Sequence, residues 1–104
     1  MTISNEPGYY EEGAFGIRIE SLCITVAAKT PNNFGGKKYC TFETVTMAPI
    51  QRKLVATELL NDVEILWLND YHKNVRDTLL PVMQERFPDA VNYLMQETEH
   101  INRG

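Results

Sequence analysis

The spacing of apolar residues changes near Thr57, and that change limits what the chain can fold into. Before it, short segments rich in β-branched residues are separated by glycine and proline. After it, apolar residues recur at intervals of three and four, the period of one helix face. Strands followed by helices give an α+β order, not a βαβ one. The reading predicts antiparallel strands over residues 1–56 and a helical region over 57–104.

In the first part, Met1 to Asn5 is short and β-compatible, and Pro7, Gly8, Gly13 and Gly16 then punctuate a loop. The stretch Gly16 to Ala28, GIRIESLCITVAA, reads as one long strand or as two joined at a bulge near Ser21. Lys29 to Lys38, with Pro31, Asn32, Asn33, Gly35 and Gly36, has loop chemistry. Tyr39 to Met47 alternates as a strand does and is expected to pair with 16–28 in a hairpin. Pro49 to Val55 is expected to continue as an edge strand, where proline is tolerated. The chain opens in a strand with no partner before it, so the β part reads as cut from a larger sheet. Cys23 and Cys40 are too few for a disulfide framework, and a reducing compartment follows by default. They are either free thiols or a pair meeting across neighbouring strands.

In the second part, Asn61 is placed as a helix N-cap, with Glu64 in the capping-box position. Val63, Leu66, Trp67, Tyr71, Val75 and Leu79 mark the expected buried face. Pro81 kinks this helix or starts another. Pro88 and Asp89 open a last helix with Ala90, Val91, Leu94 and Met95 on its buried side, and residues 102–104 are expected to fray. Trp67 and Tyr71, one turn apart, read as core, with a subunit interface as the other reading. His72 reads as a surface or partly buried structural histidine.

Composition narrows the partners. Ten Lys and Arg stand against 14 Asp and Glu, with no basic stripe, which argues against nucleic acid or an anionic membrane. The apolar runs are too short to span a bilayer. Met1 to Asn5 carries no secretory signal, an observation of little weight if Met1 is internal to a longer protein.

Chemistry concentrates in residues 6–20, EPGYYEEGAFGIRIE. A hairpin centred on Gly13 sets Glu6 directly opposite Glu20, with Cβ atoms about 5 Å apart. Two facing carboxylates repel, so one is protonated or a cation sits between them, and hard divalent ions prefer such oxygen ligands. Arg18 shares the strand face of Glu20, and Tyr10 is within reach from the loop. A solvated hairpin face with an Arg–Glu pair accounts for the same pattern. Tyr9 and Phe15 either line a pocket or pack. Glu11, Glu12 and Glu43 read as solvent-facing or structural.

The same segment closely resembles one found in the pita-bread metallopeptidases, and in particular in Xaa-Pro aminopeptidases of the eukaryotic cytosolic type. That pattern is Glu-Pro-Gly-Tyr-Tyr, a glycine-containing connection, then Gly-Ile-Arg-Ile-Glu, and all of it stands between Glu6 and Glu20. The resemblance continues through Leu22 to Ala28, Thr41 to Glu43, Pro49 to Gln51, Trp67 to Asn69, Tyr71, His72, Glu97, Thr98 and Ile101. It implies that the strands come from the end of a pita-bread catalytic domain and that the helical part is a C-terminal extension. Glu6 would bind one of two metal ions and Glu20 bridge both, while Tyr10 and Arg18 steady a metal-binding aspartate outside this chain.

The resemblance further implies two divalent ions, manganese by expectation, and hydrolysis by a metal-bridging water of the bond between an N-terminal residue and a following proline. The implied setting is a cytoplasmic homodimer. The site also needs two aspartates and several histidines that have no counterpart here; His72 and His100 fall in the helical tail. No catalytic residue is therefore assigned within the chain. The chain is expected to be a C-terminal fragment, inactive alone, with metal absent or weakly bound. The alternative is a non-catalytic binding or dimerisation module derived from the same fold.

Overall fold

The computed structural model describes residues 1–31 and 34–102, which form two compact units, Met1–Thr46 and Met47–Gly104. Asn32 and Asn33 in the expected loop, and Arg103 and Gly104 at the expected frayed end, lie outside the described residues.

The first unit holds the strands β1 (Thr2–Asn5), β2 (Gly8–Glu11), β3 (Phe15–Arg18), β4 (Ser21–Ala28) and β5 (Tyr39–Thr44). β1, β4 and β5 form an antiparallel sheet in that order, and β2 pairs with β3. The two pairings share one register. Thr2 to Asn5 lie opposite Ile24 to Ser21, and Gly8 to Glu11 lie opposite Arg18 to Phe15. Every pair is equidistant from Gly13, so the first 25 residues are one long hairpin.

Its turn is closed by the Ala14 N–H donating to the Glu11 carbonyl at 3.0 Å, with Gly13 at φ 73°, a conformation that favours glycine. The ladder is interrupted once, between β1 and β2 and between β3 and β4. There the Ile19 N–H donates to the Pro7 carbonyl at 3.1 Å, and Pro7 has no N–H to return the bond. The stretch 16–28 is accordingly two strands, parted just before Ser21. β4 pairs with β5 from Cys23↔Thr44 to Ala28↔Tyr39. Cys23 therefore lies opposite Thr44, and Cys40 opposite Ala27. Both thiols are free, the first buried and the second exposed.

The expected edge strand over 49–55 does not form. Arg52–Leu54 is a short 3-10 turn, and the backbone before it is engaged by side chains. The Ile50 N–H donates to His72 Nε2 at 3.0 Å, and the Ala48 carbonyl accepts from the Tyr71 hydroxyl at 2.6 Å.

The second unit is built on α1 (Asp62–Arg86) and α2 (Val91–Glu97), the latter entered through a 3-10 turn at Pro88–Ala90. α1 begins as expected: Asn61 Oδ1 accepts from the Glu64 N–H at 2.8 Å, and the Asn61 N–H donates to Glu64 Oε1 at 2.9 Å. The pair satisfies two of the otherwise unpartnered groups at the helix start. Pro81 neither ends α1 nor starts a new helix. Leu79, Leu80 and Met83 on either side of it pack against the core.

The buried face of α1 differs from the expected one. Leu68, Tyr71, His72 and Val75 are buried, whereas Val63, Leu66 and Trp67 are exposed. The core of this unit is Tyr71, Val75 and Leu94, flanked by Met47, Ile50, Leu79, Leu80 and Met83. Its partners from outside α1 meet the helix from Tyr71 onward and leave most of its first two turns uncovered. Trp67 stays 58% exposed and stacks on Tyr71, ring centroids 5.7 Å apart and 5° from parallel. On α2, Leu94 is buried as expected and Met95 is exposed.

The segment after α2 is tied back to α1. Asn69 accepts the Ile101 N–H at 2.7 Å and donates to its carbonyl at 3.0 Å, and Arg76 donates to the Thr98 carbonyl at 3.0 Å.

Candidate functional site

The long hairpin carries the candidate metal ligands. Its register, fixed on one side by Asn5↔Ser21 and on the other by Gly8↔Arg18, sets Glu6 opposite Glu20 at the interruption. Pro7 biases Glu6 toward an extended backbone. Glu20 is held by Arg18, whose Nη2 lies 3.2 Å from Glu20 Oε2, with the two side chains 52% and 42% exposed. An ion pair this exposed contributes at most about 1 kcal/mol to stability.

Tyr10 has a seat on the same hairpin. A Cβ at Gly8 would fall 2.6 Å from the Tyr10 hydroxyl oxygen, and one at Gly16 would fall 2.8 Å from ring atom Cδ1. Gly16 is the cross-strand partner of Tyr10, and Gly8 is that of Arg18. The ring therefore lies flat over two residues without side chains, its hydroxyl end beside the residue paired with Arg18. The glycines read as loop punctuation in the sequence are the floor under this ring. The missed signal was their position: Gly8 shares the face of Tyr10 two residues away, and Gly16 lies across from it. On the opposite face, Tyr9 and Phe15 contact each other at a centroid distance of 5.8 Å, a packing pair that remains largely exposed.

Two carboxylates at one register position, braced by an arginine, suit a hard divalent ion in donor chemistry but not in number, since such ions take six or more oxygen ligands. Among the described residues no group of three or more His, Cys, Asp or Glu is arranged to hold a metal.

Both histidines belong to the second unit. His100 is exposed. His72 is only 1% exposed, more buried than its sequence reading allowed. The spacing Leu68, His72, Val75 and Leu79 does place it on a helical stripe. Burial first, and the Arg52 cation second, push its pKa below the ordinary 6.5, against the opposing pulls of the Ile50 backbone hydrogen bond and of Glu97.

Residues 38–101 match the family described as the C-terminal region of peptidase_M24. The chain belongs to that family. Its relatives include a probable Xaa-Pro aminopeptidase P of Coprinopsis cinerea, 50% identical over 101 residues that cover 97% of this chain and 16% of the relative. Another is the Xaa-Pro aminopeptidase ApepP of Drosophila melanogaster, 41% identical over 102 residues, covering 97% of this chain and 17% of the relative. Among solved structures, the X-prolyl aminopeptidase of Caenorhabditis elegans, a cytosolic enzyme with a di-nuclear active site, superposes with a TM-score of 0.84 at 33% identity. The match covers 96% of this chain and 16% of that one. The chain therefore spans about one-sixth of the length of these relatives. The antiparallel strands followed by helices agree with the α+β expectation and with the pita-bread resemblance. Among the described residues no helix is long and apolar enough to cross a membrane.

Proposed function

We propose that this chain is the C-terminal part of a dinuclear Xaa-Pro metallo-aminopeptidase, to which it contributes Glu6 and Glu20 as metal ligands. The observation that carries the reading is the shared register of the two ladders, which brings residues fourteen apart in sequence to one position. Arg18 orients the Glu20 carboxylate, and Tyr10 lies over Gly8 and Gly16 on the same hairpin. Two such ions, when bound, would supply a Lewis acid and lower the pKa of water for hydrolysis. The role of this chain's own residues is to place two negative oxygen donors on a rigid hairpin. The remaining ligands and the histidines of the reaction come from elsewhere in the enzyme, so the chain alone is inactive on peptides with proline in second position.

Manganese fits the oxygen-rich donor set. A cytoplasmic setting agrees with the cytosolic relative and with two free thiols. The exposed Val63, Leu66 and Trp67 on α1 supply an apolar surface suited to a homodimer.

The test is carboxylate removal in the full-length enzyme. Glu6→Gln and Glu20→Gln are expected to abolish turnover of Xaa-Pro peptides while leaving the circular dichroism spectrum unchanged. A rate equal to that of the parent overturns the proposal. The isolated chain, titrated with Mn²⁺, is expected to show no stoichiometric tight binding; a tight site there contradicts the shared-site reading.

A further inference from the structure

His72 lies between the opening segment of the second unit and the main helix of that unit. Its Nε2 accepts the Ile50 N–H at 3.0 Å. A ring nitrogen that accepts carries no proton, so the imidazole is neutral and its proton sits on Nδ1. That atom is buried and has no hydrogen-bond partner. A second proton on the ring would set an Nε2–H against the Ile50 N–H, donor against donor. The ring cannot turn out to water to avoid this, because the side chain is almost fully buried.

The charges facing the ring do not favour protonation. Arg52 from the 3-10 turn and Arg76 from α1 oppose it, and Glu97 from α2 favours it; contact with the Ile50 backbone also pulls the pKa upward, yet an accepting Nε2 loses its bond to the Ile50 N–H once it is protonated. What the bond holds is a short strap. Within it, the Ala48 carbonyl accepts from Tyr71, Ile50 packs against the core, and Arg52 donates to the Gln96 carbonyl at 2.9 Å and to Glu99 at 3.2 Å.

We propose that His72 makes the docking of segment 48–52 on α1 pH-sensitive, a single proton at Nε2 releasing the Ile50 amide while the two helices stay folded. The inference does not depend on the metal reading of the glutamates. Because the folded pKa lies below 6.5, the contribution of the neutral ring is fully present above 6.5 and is lost as pH falls toward the folded value.

The experiment is amide hydrogen exchange by NMR on the chain between pH 7.5 and 5, corrected for intrinsic rates. Opening linked to one proton lowers the protection of the Ile50 amide by up to about tenfold per pH unit below the free histidine value. The amides of Val75 and Leu94 are expected to hold their protection over the same range. In His72→Gln, which keeps an acceptor but cannot titrate, Ile50 protection is expected to be independent of pH; His100 remains in that variant as an internal control. Protection at Ile50 that ignores pH in the parent, or that falls equally in the variant, overturns the proposal. If the variant does not fold, the parent decides: the His72 ring and the Ile50 amide shift must titrate with one midpoint, and separate midpoints overturn it.

Discussion

The side-chain amide of Asn69 grips the main chain of Ile101 at both polar groups, at 2.7 and 3.0 Å. It substitutes for a strand partner and closes the C-terminal segment onto α1, with the Ile101 side chain buried. Asn69→Ala removes both bonds and leaves a half-buried N–H and C=O without partners. The expected loss is about 1–3 kcal/mol, read as a lower urea midpoint with unchanged slope. Asn69→Asp keeps the acceptor and loses the donor, so its midpoint is expected to lie between the two.

The seat of Tyr10 can be tested by filling it. Gly16→Ala drives a methyl group into the ring and is expected to destabilise the hairpin by about 1–3 kcal/mol. In a Tyr10→Ala background the same substitution should cost much less. The coupling energy from the double-mutant cycle, followed through the β2 and β3 amides, measures the contact itself.

How far the sequence revealed these features depended on the range of the interaction. The Gly13-centred register and the Asn61–Glu64 capping box were legible because each is decided within a few residues, by turn chemistry and by a three-residue spacing. Segment 49–55 was not. Its strand-like composition was overridden by Tyr71 and His72, more than twenty residues away, which engage the Ala48 carbonyl and the Ile50 N–H. The buried face of α1 was misread in its first two turns for a similar reason. Periodicity shows that Val63, Leu66 and Trp67 share a side of the helix, but the position of Leu94, Met47 and Ile50 decides which part of that side is covered. At the candidate site the register that sets Glu6 opposite Glu20 and the closeness of Arg18 to Glu20 were legible, whereas the glycine floor under Tyr10 emerged only from the register.

The core of the second unit provides a reference for these measurements. Leu94 packs with Tyr71 and Val75 and is 2% exposed. Leu94→Ala is expected to cost about 2–5 kcal/mol in thermal or urea unfolding, more than any single hydrogen-bond deletion above.

Trp67 separates packing from assembly. Its stacking on Tyr71 is worth about 0.5–1.5 kcal/mol beyond area burial, so Trp67→Glu should lower stability only modestly. If the exposed α1 surface is a homodimer contact, the same change in the full-length protein is expected to shift the sedimentation coefficient from dimer to monomer with the helical signal intact. An unchanged coefficient would contradict a dimer contact at Trp67.

Arg18 bears on the metal reading without touching a metal. If it orients Glu20, Arg18→Ala in the full-length enzyme should reduce metal affinity or turnover about 10–100-fold, the usual effect of losing a residue that positions a ligand. Arg18→Lys, which keeps the charge but not the planar fork, should recover only part of it.

The most direct measurement is the bound-metal content and Xaa-Pro turnover of the full-length enzyme carrying Glu20→Gln, beside Glu43→Gln as a control on the neighbouring strand. The account predicts loss of at least one metal ion and of turnover for the first, with no change for the second. Full metal occupancy and parental turnover in Glu20→Gln would contradict it.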